Sequence, residues 1–489
     1  MEINELTAAE ERVWRAFPKG EPVDFREGEA EADNPATGSD WGPERTVRAS
    51  VLRALLLSTP QLAGEIPRLR LSGARVTGHL NLMYAIVDHP IHLRYCHFDE
   101  APDLYGTRLR QLNLRGSVLP GVNLASTRID GPLRMSRCRV RGPIWLAGSE
   151  IAGALFLDDA ELTTSDPSVP VLQLHQSVLG DGFAAPGLRV RGETRLEGAT
   201  VGGSITLDDA DLSNPGGHAL CARSLDVRAD IRARNLRTRG IVDLRGSRIA
   251  GSVDFTGARL SNPGGTALRA SSCTIGELWL YRCEPIEGRL HLRRSRIDVL
   301  GFESGVAPGE VLFNNLSYTA LNPHEPADRR LSLLERDGDG YVPYAYEQLA
   351  AAYRHGGDEG AARRVQLAKL RRHRATLPWL GRTWGHLQDT TVGYGFRPLR
   401  AAVWLLSLLA VGSIAFALRH PSPLNADEAP QFNPVFYTLD LLLPVISFGQ
   451  EGAFAPTGGY QFLSYVLILT GWILATTVIA GVSRSVARQ

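Results

Sequence analysis

The sequence has little of several residue types that mark common protein classes. Its 489 residues include five cysteines, none of them in a C-x-x-C pair, so neither a disulfide framework nor a zinc-ribbon motif is indicated. Lysine occurs only at Lys19 and Lys369, and the net charge of +1 gives no argument for nucleic acid. The sequence also lacks a G-x-G-x-x-G that opens a helix and a G-x-S-x-G elbow. It therefore predicts no catalytic residue, no cofactor, no metal and no nucleic-acid partner.

An apolar residue returns at every fifth position in one part of the chain, a period that neither a helix nor an ordinary strand has. From Ile129 onward the spacing alternates between six and five, so that four steps make 22 residues. A chain that buries one side chain per short face and turns after each face forms a coil of four faces. We therefore expect a parallel β-helix. The five-residue series is Leu104, Leu109, Leu114, Leu119, Leu124 and Ile129.

The segments VNLAS and ADLSN keep part of the motif A-[DN]-L-x-x, so the region from about Ile66 to Leu300 resembles pentapeptide-repeat proteins. That resemblance implies a mainly β fold, a right-handed quadrilateral parallel β-helix, or solenoid. Two copies of a longer insertion, LSNPGGHAL at Leu212 and LSNPGGTAL at Leu260, interrupt the repeat with turn residues. We expect both insertions to protrude as loops and to serve as contact points for a protein partner.

The ends of the chain differ from the repeat and complete the predicted fold class, which has an N-terminal helical cap, a helical neck and two C-terminal transmembrane helices. The neck is predicted as two helices around a His-Gly-Gly turn with Asp358 as N-cap, similar to one tetratricopeptide hairpin. The predicted divisions are residues 1–62, helical cap; 63–302, β-helix; 303–342, linker; 343–396, neck; and 397–489, membrane domain.

Several motifs on the soluble part suggest chemistry but have simpler explanations. The paired aspartates of LDDAEL and LDDADL follow the repeat and are expected at solvated positions. Strand alternation sends His92 and Cys96 of DHPIHLRYCHFD to one face and His89 and His97 to the other, which disfavours a metal. Arginines cluster from Arg228 to Gly240, and this basic stripe is a weak candidate for binding phosphate, anionic lipid or an acidic partner.

Two uncharged apolar stretches, at about residues 401–418 and 460–482, are long enough to span a bilayer. Arginines flank the stretches on their outer sides, at Arg397, Arg400, Arg484 and Arg488. The positive-inside rule then predicts a two-pass protein of the cell membrane with both termini in the cytoplasm. The N-terminal sequence MEINELTAAEERVWRAF has no apolar signal-peptide core, which agrees with that prediction.

Between the two stretches, residues 432–448 are apolar but short, which suits a re-entrant or interfacial segment. Span, half-helix, span is the plan of a two-helix channel subunit, although an anchor is favoured over a conducting pore. The string TVGYG, known from potassium-channel filters, lies before the first stretch and is interpreted as a hinge at the membrane surface. The candidate pore-loop residues are Asp440, Pro444, Gly449, Gln450 and Glu451. The candidate hinge residues are Gly393, Tyr394, Gly395, Arg397 and Pro398.

The order of parts resembles actinobacterial two-span membrane proteins with a cytoplasmic pentapeptide-repeat-like β-helix, which are often loosely labelled membrane-associated oxidoreductases. The leading hypothesis is a membrane-anchored scaffold or sensor whose β-helix presents loops and charged stripes to a partner. An oligomeric, channel-like protein with a degenerate pore loop is the alternative, and a homo-oligomer is an open possibility. An oxidoreductase is the third hypothesis, and it is implied by the resemblance alone.

Overall fold

The computed structural model describes residues 6–58, 64–379, 381–383, 385, 398–425, 430–443 and 446–486. The chain divides into two compact units, residues 1–357 and 358–489. The first unit contains the β-solenoid with helices at its ends, and the second contains helices with one short hairpin. Each unit is described by itself.

Two helices precede the solenoid. Helix α1, Ala8–Ala16, begins with a capping box in which Thr7 Oγ1 accepts from the N–H of Glu10 at 3.3 Å and the Glu10 carboxylate accepts from the N–H of Thr7 at 3.0 Å. The same carboxylate binds Arg48 at 2.7 Å, just before helix α2, Ala49–Ser58. Leu52 and Leu55 of α2 are almost fully buried. These contacts hold the N-terminal segment together as a helical cap.

Short parallel strands form the solenoid, which has about twelve turns. The larger sheet consists of Val23–Asp24, Leu69–Ser72, Ile86–Val87, Ile91–Arg94, Arg108–Leu109, Leu112–Asn113, Arg128–Ile129, Leu133–Arg134, Glu150–Ile151, Leu155–Phe156, Val178–Leu179, Phe183–Ala184, Thr200–Val201, Ile205–Thr206, Asp226–Val227, Ile231–Arg232, Arg248–Asp254, Thr274–Leu280, Arg296–Phe302 and Ser317–Asn322. The second sheet consists of Thr46–Arg48, Arg75–Thr77, His97–Phe98, Val118–Leu119, Val122–Asn123, Arg139–Val140, Ile144–Trp145, Glu161–Thr163, Leu172–Gln173, Arg189–Arg191, Thr194–Arg195, Asp211–Cys221, Arg237–Asp243, Arg259–Arg269, Glu287–His291 and Glu310–Leu312.

The inward column of apolar side chains is the core of the first unit. Ile129 pairs in register with Leu109 of the preceding turn and Ile151 of the following turn, and all three are buried. The six residues of the five-residue series are between 0% and 3% exposed. Stacked apolar side chains remove each other from water, at about 25 cal/mol per Å² of apolar surface. The prediction of a parallel β-solenoid is therefore confirmed.

Corners between the short strands require unusual backbone conformations. Asp159 and Asp209, the second aspartates of the two LDD motifs, have φ of +52° and +58°. Asp and Asn tolerate this left-handed region better than most residues because their short polar side chains bond locally. Asp209 Oδ1 accepts from Asn235 Nδ2 of the next turn at 3.0 Å. Asp159 and Asp209 are thus exposed corner residues of the repeat, which agrees with the solvated positions predicted for the paired aspartates.

Two further helices follow the last turns of the solenoid in the first unit. They are α3, Ala327–Leu334, and α4, Pro343–His355. Helix α4 packs against the last strand, Ser317–Asn322, and buries Tyr346 and Leu349. Helix α4 therefore covers the C-terminal end of the solenoid, whose apolar interior would otherwise face water.

The second unit begins with helix α5, Glu359–Thr376, whose first turn is capped by Asp358 Oδ1 accepting from the N–H of Ala361 at 2.8 Å. This confirms the predicted N-cap. The helices that follow in the described residues include α6, Pro398–Leu418; α7, Pro434–Leu442; and α8, Gly459–Val486. A short antiparallel hairpin pairs Ser422–Pro423 with Phe454–Ala455. Helices α6, α7 and α8 pack on a hydrophobic core of Phe416, Tyr437, Leu441, Leu442, Phe454 and Leu467.

The prediction of two transmembrane helices, at about residues 401–418 and 460–482, is wrong. Within the ranges that the structure covers, no helix has both the length and the apolarity needed to cross a membrane. The apolar stretches instead supply part of a protein core, since Phe416 of α6 and Leu467 of α8 are buried against Tyr437 of α7. Hydropathy alone does not distinguish a side chain that faces lipid from one that faces a neighbouring helix.

Candidate functional site

One outer face of the solenoid carries two adjacent columns of polar side chains. The first column follows the strand register through consecutive turns: Trp145, Gln173, Arg195, Cys221, Asp243, Arg269, His291 and Leu312. The second column lies two residues further along each turn: Glu197, Arg223, Arg245, Ser271 and Arg293. The residue between the two columns is buried, as strand alternation requires. Successive members of a column are about 4.8 Å apart. We call these two columns the polar face.

Both insertions rise from the edge of this face and have the same construction. The Asn214 side-chain amide donates to the carbonyl of His218 at 3.0 Å, and the Asn262 amide donates to the carbonyl of Thr266 at 2.9 Å. Each amide closes its loop across the NPGG turn. The loop tips, Pro215–Gly216 and Pro263–Gly264, are exposed, as predicted from the sequence. A side chain cannot replace the glycine at 240, because φ there is +124° and an added Cβ would lie 2.5 Å from the carbonyl of Asn214.

Asp243 occupies the centre of the polar face and is fully buried although it points outward. Its Oδ2 atom accepts from Arg223 Nε at 2.8 Å and from Arg245 Nη2 at 3.0 Å. His218 of the first insertion places Nε2 3.4 Å from the same oxygen. Burial alone would raise the pKa of the Asp243 carboxyl, but hydrogen bonds from Arg223 and Arg245 outweigh it and lower the pKa below the ordinary value. The carboxylate thus joins an insertion to the flat face.

The neighbouring face carries an ion ladder in which acidic and basic residues of successive turns pair. Glu161 lies 3.2 Å from Arg139 on the preceding turn and 3.1 Å from Arg189 on the following turn. Arg191 then contacts Asp211 at 3.0 Å. These pairs are half exposed, so each contributes about 0–1 kcal/mol to the free energy of unfolding. Their main effect is to lower the net charge of this face. The ladder neutralises most of this surface.

The arginine run from Arg228 to Gly240 does not form one stripe. Each turn of about 22 residues passes over every face, so consecutive arginines point in different directions. Arg234 binds Asp254 at 2.7 Å on the larger sheet, whereas Arg237 is exposed on the second sheet. Basic columns run across the turns, through residues far apart in the sequence.

The cysteines and the His-rich segment have structural surroundings. Burial raises the pKa of the Cys96 and Cys138 thiols to about 12 and that of Cys273 and Cys283 to about 11. These thiols therefore stay protonated at neutral pH and are poor nucleophiles. His97 Nδ1 lies 2.9 Å from the carbonyl of Pro35 in the N-terminal cap. Among the described residues, no group of three His, Cys, Asp or Glu side chains is placed to hold a metal ion.

Sequence reasoning missed a cavity of about 250 Å³ at the C-terminal end of the solenoid, lined in part by Asn322, His324, Arg330 and His355. Arg330 is almost fully buried; its Nη2 donates to the carbonyl of Pro323 at 2.8 Å and its Nε lies 2.9 Å from Glu325. Burial lowers the pKa of the Arg330 guanidinium. The pair fixes the last turn against α3. No motif marks it, because its members acquire their burial only when the helices close the solenoid.

Three of the candidate pore-loop residues, Gly449, Gln450 and Glu451, lie in a loop after helix α7 that is bonded to Asp440 of that helix. The Asp440 carboxylate accepts from the backbone N–H groups of Phe448, of Gln450 at 2.7 Å and of Glu451 at 3.1 Å. Gln450 is buried and its Oε1 accepts from the N–H of Asn433 at 3.1 Å. Gly449 has φ of +77° and Glu451 is exposed. Asp440 thus organises the loop.

Part of the predicted membrane region lies outside the described residues. Pro444 of the candidate pore loop lies outside the described residues, as do Gly393, Tyr394, Gly395 and Arg397 of the candidate hinge. Pro398 is the first residue of helix α6, in agreement with its predicted place at a helix start. The hinge itself stays a prediction.

Replacing Asp243 by Asn removes the charge of a buried carboxylate that accepts from Arg223, which is partly exposed, and from Arg245, which is exposed. We expect Asp243→Asn to lower the free energy of unfolding at pH 7 by about 1–3 kcal/mol, measured by urea denaturation. The pKa of Asp243 is lowered in the folded state, so its stabilisation is full above the unfolded pKa of about 3.9 and is lost as pH falls through the folded pKa. The gap between wild type and variant therefore closes below about pH 4.

The exposed Asp226, replaced by Asn, is the matched control and should change stability by less than about 0.5 kcal/mol. If Asp226→Asn lowers the free energy of unfolding as much as Asp243→Asn does, the ion pairs of Asp243 with its arginines add no stability beyond that of an exposed aspartate. A gap that persists unchanged to pH 3 would also contradict the account.

Comparison with known proteins finds no match for this chain. No protein-family model, no curated protein and no solved structure matches the chain. The resemblance to two-span actinobacterial membrane proteins therefore stays a prediction, and the function has to be argued from the contacts described above.

Proposed function

We propose that this chain is an interaction scaffold whose β-solenoid presents the polar face and its two insertions to a protein partner. The observation that supports the proposal is duplication. The strands Asp211–Cys221 and Arg259–Arg269 carry the same SNPGG turn, closed by the same asparagine contact, two turns apart on one face. The repeat that builds the solenoid does not require these insertions. Their presence at matched positions therefore favours a role in binding and not in folding.

The two loops are suited to binding because little order has to be gained when they meet a partner. Each tip is exposed while its base is fixed by a side-chain hydrogen bond and by an adjoining strand. The tips stand about 10 Å apart, twice the spacing of neighbouring strands. Binding by preformed loops loses less conformational entropy than binding by flexible ones. A partner with two similar contact points, or with one extended segment, matches this arrangement.

Charged residues at the loop tips should abolish partner binding without disturbing the solenoid. We expect the double variant Pro215→Glu and Pro263→Glu to lose, by about tenfold or more, the proteins that the wild-type chain captures by proximity labelling in its own cells. Both prolines are exposed, so the substitutions need not alter the core.

The control is the double variant Val178→Glu and Ile86→Glu, which places the same two new charges at exposed positions on the larger sheet. The control should retain the captured set. Equal loss in the control, or an unchanged set in the double loop variant, would refute loop-mediated binding.

A second partner, the membrane, is supported by the exposed apolar surface of the C-terminal unit. Leu406 and Ile414 of α6 are 62% and 63% exposed, and Phe462 and Leu469 of α8 are 72% and 65% exposed. Exposed apolar side chains in this number on two neighbouring helices suit a protein or membrane contact. We propose that this unit attaches the scaffold to the apolar boundary of a lipid bilayer. The location at the cell membrane, with both termini in the cytoplasm, stays a prediction.

Flotation with lipid vesicles tests this attachment. The full chain should float with phosphatidylcholine vesicles, and the double variant Leu406→Glu and Leu469→Glu should bind at least about tenfold less, because each buried leucine contributes about 1.5–3 kcal/mol. A matched pair of charges at Val178→Glu and Ile86→Glu, both exposed on the solenoid, should leave flotation unchanged. A full chain that stays at the bottom of the gradient would exclude the attachment.

The other hypotheses stay predictions. A conducting pore receives no support from the loop, since the Asp440 carboxylate accepts three N–H groups of its own loop. An oxidoreductase rests on the resemblance alone, and a homo-oligomer has no contact that argues for it among the described residues.

A further inference from the structure

Three consecutive turns at the C-terminal half of the polar face bring arginines together. In the first column Asp243, Arg269 and His291 are neighbours in strand register. In the second column Ser271 lies between Arg245 and Arg293, joined to them by the backbone bonds of adjacent turns. We call Arg245, Arg269, Arg293 and His291 the arginine cradle. Its members come from turns that are separated by more than twenty residues in the sequence but by about 4.8 Å in space.

The cradle has more positive charge than its acidic neighbours neutralise. Arg245 binds Asp243 at 3.0 Å, but Asp243 is shared with Arg223. Arg293 contacts Asp339, which reaches the face from the loop before helix α4. Arg269 makes no ion pair among the described residues. The charged groups of the region are four arginines, Arg223, Arg245, Arg269 and Arg293, and three carboxylates, Asp243, Asp337 and Asp339, so the arginines are in excess.

The hydrogen-bonding capacity of the cradle is also incompletely used. The Nε atoms of Arg269 and Arg293 are buried, and neither has an acceptor among the described residues. A buried donor without an acceptor costs about 1–3 kcal/mol, so such groups in native proteins usually serve a ligand or a strained site. Two of them in one cluster, one of which belongs to Arg269, the arginine that makes no ion pair among the described residues, indicate a site for an acceptor with several oxygens.

His291 responds to the same excess of positive charge. Burial, together with the charges of Arg269, Arg293 and Arg245, lowers the pKa of the His291 imidazole to about 4. The ring is therefore neutral at pH 7 and able to accept a proton when a negative group enters beside it. Arg269, Arg293 and Arg245 thus all lie near enough to His291 to disfavour its charged form.

We propose that the arginine cradle is a binding site for a phosphate-type oxyanion, free or carried on a phosphorylated side chain. Guanidinium groups present paired N–H donors that match the oxygens of such a group, and three of them on adjacent turns favour a doubly charged tetrahedral anion over a carboxylate. The site does not include the insertion tips, so anion binding by the cradle and partner binding by the loops can be tested independently.

Titration calorimetry on the full chain tests the site with two probes, inorganic phosphate and a short phosphoserine peptide. We expect saturable binding of one anion per chain, weakened at least about tenfold in Arg269→Gln and only a few-fold in Arg269→Lys, which keeps the charge. Arg237→Gln is the control, because Arg237 is an exposed arginine on the same sheet outside the cradle. Tighter binding of the peptide identifies a phosphorylated partner, and tighter binding of phosphate identifies the free ion.

Absence of saturable binding up to 10 mM of either probe, roughly the level of unspecific surface charge effects, would overturn the proposal. Equal weakening in Arg237→Gln and Arg269→Gln would overturn it too. Thermal unfolding of each variant by circular dichroism shows whether Arg269→Gln folds, and Arg269→Lys provides the comparison if it does not.

A second readout separates the cradle from a merely basic surface. Sulfate keeps its charge between pH 7.5 and 5, so its affinity should rise by roughly three- to tenfold over that range as His291 takes up a proton on binding. His291→Asn should remove this rise even though Asp337 and Asp339 stay in place near Arg293. A pH dependence that survives in His291→Asn would contradict the arrangement.

Discussion

The stacking of one turn on the next is the constraint on which the rest of this structure depends. Most strands have only two or three residues and cannot be stable alone. The backbone groups of each strand are satisfied by the turns above and below, and its apolar side chain is buried between theirs. Leu109, Ile129 and Ile151 illustrate the result, since each fills the space between its neighbours. The terminal turns lack one neighbour, which explains the helices at both ends.

The same stacking decides what the surface can do. Outward side chains in one column stand about 4.8 Å apart, so charges from separate turns interact as if they were adjacent in sequence. The ion ladder of Arg139, Glu161 and Arg189 neutralises itself. On the polar face, acidic and basic residues do not alternate from turn to turn, because Asp243 is followed by Arg269 and then by His291. Local excess charge on a regular scaffold arises from the order of residues in a column and not from runs in the sequence.

Much of the fold could be predicted because its determinants are local or periodic. The five-residue recurrence from Leu104 to Ile129 specifies the inward column, and Asp358 specifies a helix start by its own hydrogen bond. The transmembrane prediction failed because the apolarity of a segment does not show whether its side chains face lipid or a neighbouring helix. Phe416, for example, is buried against Tyr437.

The candidate site was harder to predict because column membership depends on counting residues through each insertion. The eleven-residue strand Asp211–Cys221 shifts the register between Ser213 and His218, so the position of Cys221 beside Asp243 follows only from the folded path. Asp243 reads in the sequence as an ordinary solvated aspartate of a strand. Its burial comes from His218, Arg223 and Arg245, which reach it from two turns.

A distance measurement between spin labels tests the stacking most directly. Val178 and Thr274 lie in one outward column and are separated by four strand steps, through Thr200, Asp226 and Arg248. With nitroxide labels on Val178→Cys and Thr274→Cys, the account predicts one narrow distance near 19 Å, four times the strand spacing of about 4.8 Å. The unsubstituted chain controls for labelling of the native cysteines. A distance beyond about 30 Å, or a broad distribution, would contradict a continuous parallel solenoid.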